Sequence, residues 1–237
     1  MPAVFVHGVP DTGAMWRPLF DVLTRDDLVA LDLPGFGRPV PDGFDATKEE
    51  YVAWIIEQLE ELDGPIDLMG HDWGSLMVQR IALTRPDLIR SYTLSNGAVT
   101  DRFKWHDLAV QWQTPEVGEQ IMETLTPEVM APGLADGGHP DAEAAAARID
   151  DTMKRCILAL YRSATDLPGD WALTGPTPQP GLVVWGRDDP VGPPAAGERF
   201  AATSGARLVL LPGGHWAAVQ FPRETAAALE ALWAEVA

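Results

Sequence analysis

Apolar and polar residues follow two different patterns along this chain. Six short, almost continuous apolar runs are typical of strands buried on both faces, and they lie at residues 4–6, 28–31, 66–69, 91–94, 182–185 and 207–211. Between several of them, apolar residues recur every three or four positions, which is the spacing of one helical face. The alternation predicts an α/β fold with a mostly parallel sheet of about six strands, flanked by helices.

Three predicted helices show this spacing most clearly. Their apolar faces consist of Trp16, Leu19, Phe20 and Leu23; of Val52, Ile55, Ile56 and Leu59; and of Leu229, Leu232, Trp233 and Val236. The segment Thr47-Lys48-Glu49-Glu50 has the form of a capping box and predicts where the second of them begins. A further helix is predicted over residues 75–84, before Arg85-Pro86.

Residues 98–180 interrupt the alternation of strands and helices, because no strand is predicted there. Residues 141–165 predict one long helix, shorter helices are expected before it, and a proline-rich stretch at 176–180 precedes the fifth strand. Open α/β sheets bind ligands at the carboxyl ends of their strands, so we expect residues 98–180 to form a helical lid over that edge. The core domain would then comprise residues 1–97 and 181–237. The alternative is a set of packing helices with no gating role.

The composition of the chain limits which partners and which cellular location we expect. The chain has 237 residues, which suits one large α/β domain, and its 35 acidic and 17 basic residues give a net charge of −18. Such a charge argues against nucleic acid and anionic membranes as partners. We find no long apolar run and no leader, so we expect neither a membrane span nor a signal peptide, and a cytoplasmic location. The single cysteine, Cys156, rules out an intramolecular disulfide and is expected in the core.

Asp72 lies at the centre of Gly70-His71-Asp72-Trp73-Gly74, a motif of the form Gly-x-nucleophile-x-Gly. The predicted strand before it and helix after it are the context of a nucleophile elbow, whose sharp turn lifts one side chain above the sheet edge. A carboxylate there is poorly suited to attack esters, because the product would be a labile anhydride. It is well suited to displace a leaving group at saturated carbon, which gives an alkyl ester that water can hydrolyse.

Further groups are needed to complete this chemistry. His215 follows the last predicted strand in a glycine-rich loop and can act as the base that activates water. Asp189, after the fifth strand, is the favoured acid for orienting the histidine, and the adjacent Asp188 is the alternative. The backbone N–H groups of Val9 and Trp73 are expected to form an oxyanion hole for the ester carbonyl of the nucleophile itself.

Five motifs occur along the chain in a characteristic order. They are His7-Gly8-Val9-Pro10, Asp32-x-Pro34-Gly35-Phe36-Gly37, Gly70-His71-Asp72-Trp73-Gly74-Ser75, Trp185-Gly186-x-x-Asp189-Pro190 and Gly214-His215-Trp216. Together they resemble the aspartate-nucleophile branch of the α/β-hydrolase superfamily, the epoxide hydrolases and haloalkane dehalogenases. Members usually begin with a two-stranded hairpin that this sequence lacks. The resemblance therefore implies an α/β-hydrolase fold with about six strands rather than eight, similar in architecture to the hydroxynitrile-lyase and plant-esterase group.

Epoxide opening requires a donor for the developing alkoxide. Epoxide hydrolases of this branch usually use two lid tyrosines, and of the three tyrosines in this chain only Tyr161 lies in the predicted lid. On the predicted helix it is either that donor or a core residue. His106, His139 or Trp112 are the candidates for a second donor, and the sequence does not choose among them.

Halide displacement instead requires N–H donors around the leaving anion. Trp73 occupies the position of one halide-binding tryptophan of dehalogenases, but many epoxide hydrolases carry tryptophan there too. Haloalkane dehalogenases often place asparagine where this chain has Val9, and fluoroacetate-type enzymes usually carry arginine in place of Trp73. The lid tryptophans Trp105, Trp112 and Trp171 either supply an indole N–H or simply pack the lid.

We therefore expect an epoxide hydrolase that gives a vicinal diol from a small apolar substrate and water, as a monomer or small homo-oligomer. A haloalkane or haloacid dehalogenase is the alternative, followed by another α/β-hydrolase activity or a non-enzymatic ligand receptor. No cofactor or metal is expected, because the histidines lack metal-ligand spacing and no dinucleotide-type glycine loop is present. His7 and His71 are expected to make loop hydrogen bonds, and Asp32 to order its loop.

Overall fold

The computed structural model describes residues 1–236, and residue 237 of the predicted core domain lies outside the described residues. Strands pair in the order β2-β1-β3-β4-β5-β6, and all neighbours are parallel. The strands are β1 (Ala3–Val6), β2 (Leu28–Leu31), β3 (Ile66–His71), β4 (Ile89–Ser95), β5 (Gly181–Gly186) and β6 (Arg207–Leu211). The predicted sheet of six strands is confirmed.

Strands β3 and β4 are longer than their apolar runs. Their register places Gly70 opposite Leu94 and His71 opposite Ser95, beyond the last apolar residue of the β3 run. Backbone pairing rather than side-chain polarity therefore sets where these strands end. As a result, β3 continues directly to the nucleophile candidate Asp72.

Helices cover both faces of the sheet. They are, in chain order, α1 (Arg17–Phe20), α2 (Lys48–Glu60), α3 (Trp73–Thr84), α4 (Asp107–Gln113), α5 (Val117–Thr124), α6 (Pro127–Asp136), α7 (Ala142–Ala147), α8 (Asp151–Arg162), α9 (Leu167–Trp171), α10 (Pro194–Ser204), α11 (Ala217–Gln220) and α12 (Pro222–Glu235). The predicted capping box begins α2, where Thr47 and Glu50 each accept a hydrogen bond from the other's backbone N–H. Within residues 1–236, no helix is both long and apolar enough to cross a membrane.

Apolar side chains fill the space between the sheet and its helices. On one face, a cluster that includes Tyr51, Trp73 and the buried Cys156 joins α2, α3 and α8 to the sheet. On the other face, Phe5 and Leu229 belong to a cluster formed with α1 and α12. Burial of a large apolar side chain contributes roughly 1.5–3 kcal/mol relative to leaving it exposed. The two clusters therefore hold the sheet between two packed layers.

Two helix predictions are wrong in detail. Residues 141–165 form α7 and α8 with a break between them, not one helix. The Asp150 side chain accepts a hydrogen bond of 2.8 Å from the Met153 N–H and caps α8, and an aspartate bonded in this way favours a helix start over a continuing helix. Near the N-terminus, a 3₁₀ turn (Gly13–Trp16) precedes the short α1, and Leu23 lies beyond its end.

The helices α4–α9 all lie between β4 and β5, within the predicted lid. We refer to residues 98–180 as the helical insertion. It contacts the loop that carries His215, whose N–H donates a 2.8 Å hydrogen bond to the Gly137 carbonyl. His139 of the insertion also lies 2.9 Å from buried Asp11, which accepts a 2.7 Å hydrogen bond from the Trp216 indole. The insertion therefore supports this loop, and its role as a moving lid stays a prediction.

Candidate active site

Asp72 lies in the sharp turn between β3 and α3. Its backbone has φ 51° and ψ −121°, a conformation that residues other than glycine rarely adopt. A Cβ at Gly8 would lie 2.5 Å from the Asp72 Cβ, and a Cβ at Gly74 would collide with the Val6 carbonyl. The neighbouring chain segments thus pass close to the turn only because glycines are present there. This is the strained geometry that a nucleophile elbow requires.

The Asp72 carboxylate is held from two sides. The Val9 N–H donates a hydrogen bond of 2.9 Å to Oδ2, and His215 Nε2 lies 3.6 Å from Oδ1. Among the described residues, no hydrogen bond joins the Trp73 N–H to this carboxylate. The structure therefore brings the Val9 N–H to Asp72, while the oxyanion-hole roles of Val9 and of the Trp73 backbone stay predictions.

His215 is oriented by Asp189. Its Nδ1 lies 3.1 Å from both Asp189 carboxylate oxygens, and both side chains are buried. Oδ1 of Asp189 also accepts backbone hydrogen bonds from Val191 at 2.8 Å and Gly192 at 3.1 Å. Asp188 is exposed, and its backbone N–H donates to the Gly213 carbonyl. The structure thus places Asp189, and not Asp188, against the histidine.

Asn96 is a site residue that the sequence analysis missed. It follows β4 with a left-handed backbone (φ 52°), and its side-chain amide donates a 2.7 Å hydrogen bond to Asp189 Oδ2. The amide also reaches the Gly214 carbonyl at 3.4 Å, next to His215. A signal was present in the sequence, since a polar residue directly followed the strand that neighbours the elbow strand.

Buried opposite charges set the protonation of the site. Burial opposes ionisation of Asp72, but the hydrogen bond and positive charge of His215 outweigh it and hold the pKa of the carboxyl below its ordinary value. Burial also disfavours charged His215, yet the charge and hydrogen bond of Asp189, followed by those of Asp72, raise its pKa to about 10. The resting site therefore holds an imidazolium between two carboxylates at neutral pH.

His71 does not behave as predicted. Its ring is buried, and neither ring nitrogen has a hydrogen-bond partner among the described residues. It packs instead against His215, with ring centroids 4.9 Å apart. Burial, followed by the charge of His215, lowers the pKa of His71 to about 4. The loop hydrogen bonds expected of His71 are therefore wrong, because packing at the end of β3 leaves a neutral ring against His215.

The other two loop predictions agree with the structure. His7 accepts a 3.0 Å hydrogen bond from the Leu33 N–H, and its Nδ1 lies 2.8 Å from the Gly8 carbonyl. Asp32 accepts a 2.7 Å hydrogen bond from the Gly13 N–H. Both side chains therefore order loops at the carboxyl edge of the sheet.

Tyr161 of α8 lies in an aromatic cluster beside the nucleophile. Its ring centroid is 5.2 Å from that of Trp73, 5.1 Å from Trp105 and 4.9 Å from Trp112. Burial, followed by the negative charge of Asp72, raises the pKa of its hydroxyl well above the ordinary value. The structure thus brings Tyr161, Trp105 and Trp112 together beside Trp73, whereas Trp171 packs against Lys48 and Arg80 instead.

The three indole groups of this cluster differ in hydrogen bonding. The Trp105 N–H donates a 2.8 Å bond to the Ala164 carbonyl. The N–H groups of Trp73 and Trp112 are buried and make no hydrogen bond of standard geometry among the described residues, although the Trp73 side chain lies close enough to the Tyr161 hydroxyl to oppose the rise in its pKa. The Trp105 N–H is therefore already used in a hydrogen bond within the protein, while the N–H groups of Trp73 and Trp112 could donate to a ligand.

His106 and His139 also differ. Both ring nitrogens of His139 are engaged, Nε2 with Asp11 and Nδ1 with the Asp141 N–H. Burial lowers the pKa of His106, so its ring is neutral at pH 7. Its Nδ1 accepts a 3.2 Å hydrogen bond from the Ala109 N–H, which leaves the proton on Nε2. Of the two, only His106 can offer an N–H to a substrate.

A cavity of about 260 Å³ opens beside Asp72. Leu76 and Trp185 line it from the core, and Trp105 and His106 line it from the insertion. No group of three or more His, Cys, Asp or Glu side chains within residues 1–236 is arranged to hold a metal ion. The cavity therefore offers one nucleophile, a mainly apolar wall and a few polar donors.

A model of the alpha/beta hydrolase family matches residues 3–228. The chain belongs to this family. The solved structure of haloalkane dehalogenase DbeA from Bradyrhizobium elkani shares the fold, with a TM-score of 0.77 and 21% identity over 99% of this chain and 91% of that chain.

Curated relatives match parts of this chain. The chain is 35% identical over 98 residues to an (E)-2-((N-methylformamido)methylene)succinate hydrolase of Acinetobacter baylyi. The matched segment covers 40% of this chain and 37% of that protein. The chain is 34% identical over 101 residues to a haloalkane dehalogenase of Mycolicibacterium paratuberculosis, covering 40% and 34%. It is 35% identical over 98 residues to epoxide hydrolase 2 of Siraitia grosvenorii, covering 38% and 30%. The matches span about a third of the length of these relatives.

The charge state of His215 gives the first testable prediction. We expect Asp189→Asn to lower the pKa of His215 by about 2 pH units, because it removes the charge that raises this pKa most. Imidazole ¹⁵N chemical shifts followed from pH 6 to 10.5 measure the change. Asp188→Asn is the matched control and should leave the titration unchanged. Equal titrations in the two variants would contradict the assignment of Asp189.

Proposed function

We propose that this protein is an epoxide hydrolase that uses Asp72 as its nucleophile. The observation that carries the proposal is the position of Tyr161, whose buried ring lies 5.2 Å from that of Trp73, next to Asp72 in sequence, and 6.4 Å from that of His106 at the cavity wall. An O–H group can protonate the alkoxide that forms when an epoxide opens, which an indole N–H cannot do. Neutral His106, at the wall of the cavity, is the second donor.

In the first step, a carboxylate oxygen of Asp72 attacks an epoxide carbon and the ring C–O bond breaks. The alkoxide takes the proton of Tyr161, with His106 hydrogen-bonded to the same oxygen. Esterification removes the negative charge of Asp72, which had raised the pKa of the tyrosine. The tyrosine therefore becomes a stronger acid as the ring opens.

Loss of the Asp72 charge also prepares the base. Charged Asp72 is one of the groups that raise the pKa of His215, so the imidazolium becomes more acidic once the ester has formed. Its proton passes to the tyrosinate, directly or through water, which regenerates the hydroxyl and leaves neutral His215. The first step thereby produces the base that the second step needs.

In the second step, His215 takes a proton from water as the water oxygen attacks the ester carbonyl of Asp72. The Val9 N–H, 2.9 Å from Oδ2 in the resting site, stabilises the tetrahedral oxyanion. Collapse of this intermediate breaks the bond to the alkyl oxygen, which takes the carboxyl proton and leaves as a diol. Asp72 returns as a carboxylate beside an imidazolium, so one water is consumed for each epoxide.

The helical insertion acts as a lid in this proposal. It supplies Tyr161 and His106 and closes the aromatic cluster around Trp73. A dry, low-dielectric enclosure strengthens the interactions between the nucleophile, the donors and the substrate.

Halide displacement is the second candidate, because the Trp73 and Trp112 N–H groups are buried without partners among the described residues. Two such donors suit a departing halide. The three relatives carry three different activities in their names, so family membership alone does not choose the leaving group. Both candidates share the Asp72 ester and differ in the need for a proton donor.

Isotope labelling tests the ester common to both candidates. In a single turnover of excess enzyme with styrene oxide in H₂¹⁸O, we expect ¹⁸O in the Asp72 side chain, since water attacks its carbonyl. Mass spectrometry of the peptide containing Asp72 measures the label. Active enzyme with unlabelled Asp72 would overturn the proposal, because oxygen would then reach the product without passing through the enzyme.

Replacement of Tyr161 separates the candidates. Tyr161→Phe should lower kcat for epoxides by a factor of about 10² or more, since the general acid is lost, while displacement of bromide from a haloalkane should change little. Tyr92→Phe is the matched control, because this hydroxyl bonds to Thr177, outside the candidate site. Unchanged epoxide turnover in Tyr161→Phe would remove the tyrosine from the reaction.

A further inference from the structure

The cavity beside Asp72 differs in charge from the rest of the protein. The whole chain has 35 acidic and 17 basic residues. In the cavity wall the balance is reversed, since Arg102, Lys104 and Arg199 line it and Asp72 is the one acidic residue among the described lining residues. Positive charge is therefore concentrated around the opening of a site in an otherwise acidic protein.

These three cations are not neutralised by the protein itself. Arg25, Arg85 and other basic residues pair with carboxylates elsewhere on the surface. Within residues 1–236, no such ion pair involves Arg102, Lys104 or Arg199. The Nε of Arg199 is also buried, with no hydrogen-bond partner in the part of the chain that the structure describes. A buried, unpartnered guanidinium nitrogen is costly unless a ligand completes its hydrogen bonding.

Two separate parts of the chain supply the cations. Arg102 and Lys104 lie between β4 and α4, at the beginning of the helical insertion, and Arg199 lies on α10 of the core. Between them, apolar residues such as Phe103, Trp105 and Ala196 contribute to the wall. The cavity thus combines an apolar interior with cationic groups from both the core and the insertion.

We propose that the substrate is an organic acid, whose carboxylate binds Arg199, Arg102 and Lys104 while its apolar part places the reactive carbon at Asp72. This proposal rests on the proposed function, since it assumes that the reaction takes place at Asp72. A guanidinium group binds a carboxylate through two parallel hydrogen bonds, which fixes orientation as well as affinity. A cavity of about 260 Å³ limits the acid to an aryl or short-chain compound.

The negative charge of Asp72 does not prevent binding of such an anion. The His215 imidazolium lies 3.6 Å from this carboxylate and 3.1 Å from that of Asp189, so the three groups together carry one net negative charge. The three cations then leave the cavity net positive. Long-range attraction of an anionic substrate follows, and it weakens as ionic strength rises.

Binding to the resting protein tests the carboxylate directly. We expect phenylacetate to bind at least tenfold more tightly than phenylacetamide, measured by isothermal titration calorimetry with wild-type protein. Arg199→Gln should abolish most of this preference. Arg223→Gln is the charge-matched control, since Arg223 is exposed on α12 and does not line the cavity. Equal affinities for the two ligands, or a preference that survives in Arg102→Gln/Lys104→Gln/Arg199→Gln, would overturn the proposal.

Turnover separates this proposal from the proposed function. Wild-type kcat/KM should be at least tenfold higher for 4-carboxystyrene oxide than for styrene oxide, and the ratio should fall with added salt. If styrene oxide is hydrolysed without any preference for the acid, the epoxide assignment stands and the anion site is wrong. If phenylacetate binds selectively but neither epoxide reacts, the anion site stands and the proposed function is wrong.

Discussion

Three ionisable side chains, Asp189, His215 and Asp72, meet in the protein interior at the carboxyl edge of the sheet, and each depends on the others for its charge. The effective penalty for burying an unpaired ion is several kcal/mol. Here the imidazolium lies between two carboxylates, and Asn96 and the Val9 N–H satisfy remaining acceptor positions. The elbow, the loop after β6 and the contacts of the helical insertion all serve to hold these charges together.

In the proposed mechanism, the same pairing explains how one site performs two steps that need opposite properties. Attack requires an ionised Asp72, which the imidazolium stabilises. Hydrolysis requires a neutral His215, which becomes accessible when esterification removes the charge of Asp72. In that mechanism, the charge of Asp72 controls the acidity of both His215 and Tyr161. In this account no conformational change is needed to switch between the steps.

Local motifs made part of this site predictable. The positions of the six strands along the chain and the glycine-flanked Asp72 could be predicted, because both depend on neighbours in sequence. The sequence showed a polar residue after β4, but the role of Asn96 could not be predicted from it, because that role depends on β4 lying beside β5 and on a left-handed turn. The prediction for His71 was wrong for the same reason. Only the folded structure shows that its ring packs against His215 and has no hydrogen-bond partner among the described residues. The cationic wall of the cavity arises from segments about one hundred residues apart, so no sequence pattern reveals it.

The central claim, a covalent ester at Asp72 that needs His215 for its release, can be tested by trapping. His215→Gln should still be alkylated by styrene oxide and then retain the adduct. Intact-mass spectrometry should show the addition of one substrate molecule, and peptide mapping should place it on Asp72. An unmodified protein after exposure to a substrate that wild type converts would contradict the account, as would an adduct on any other residue.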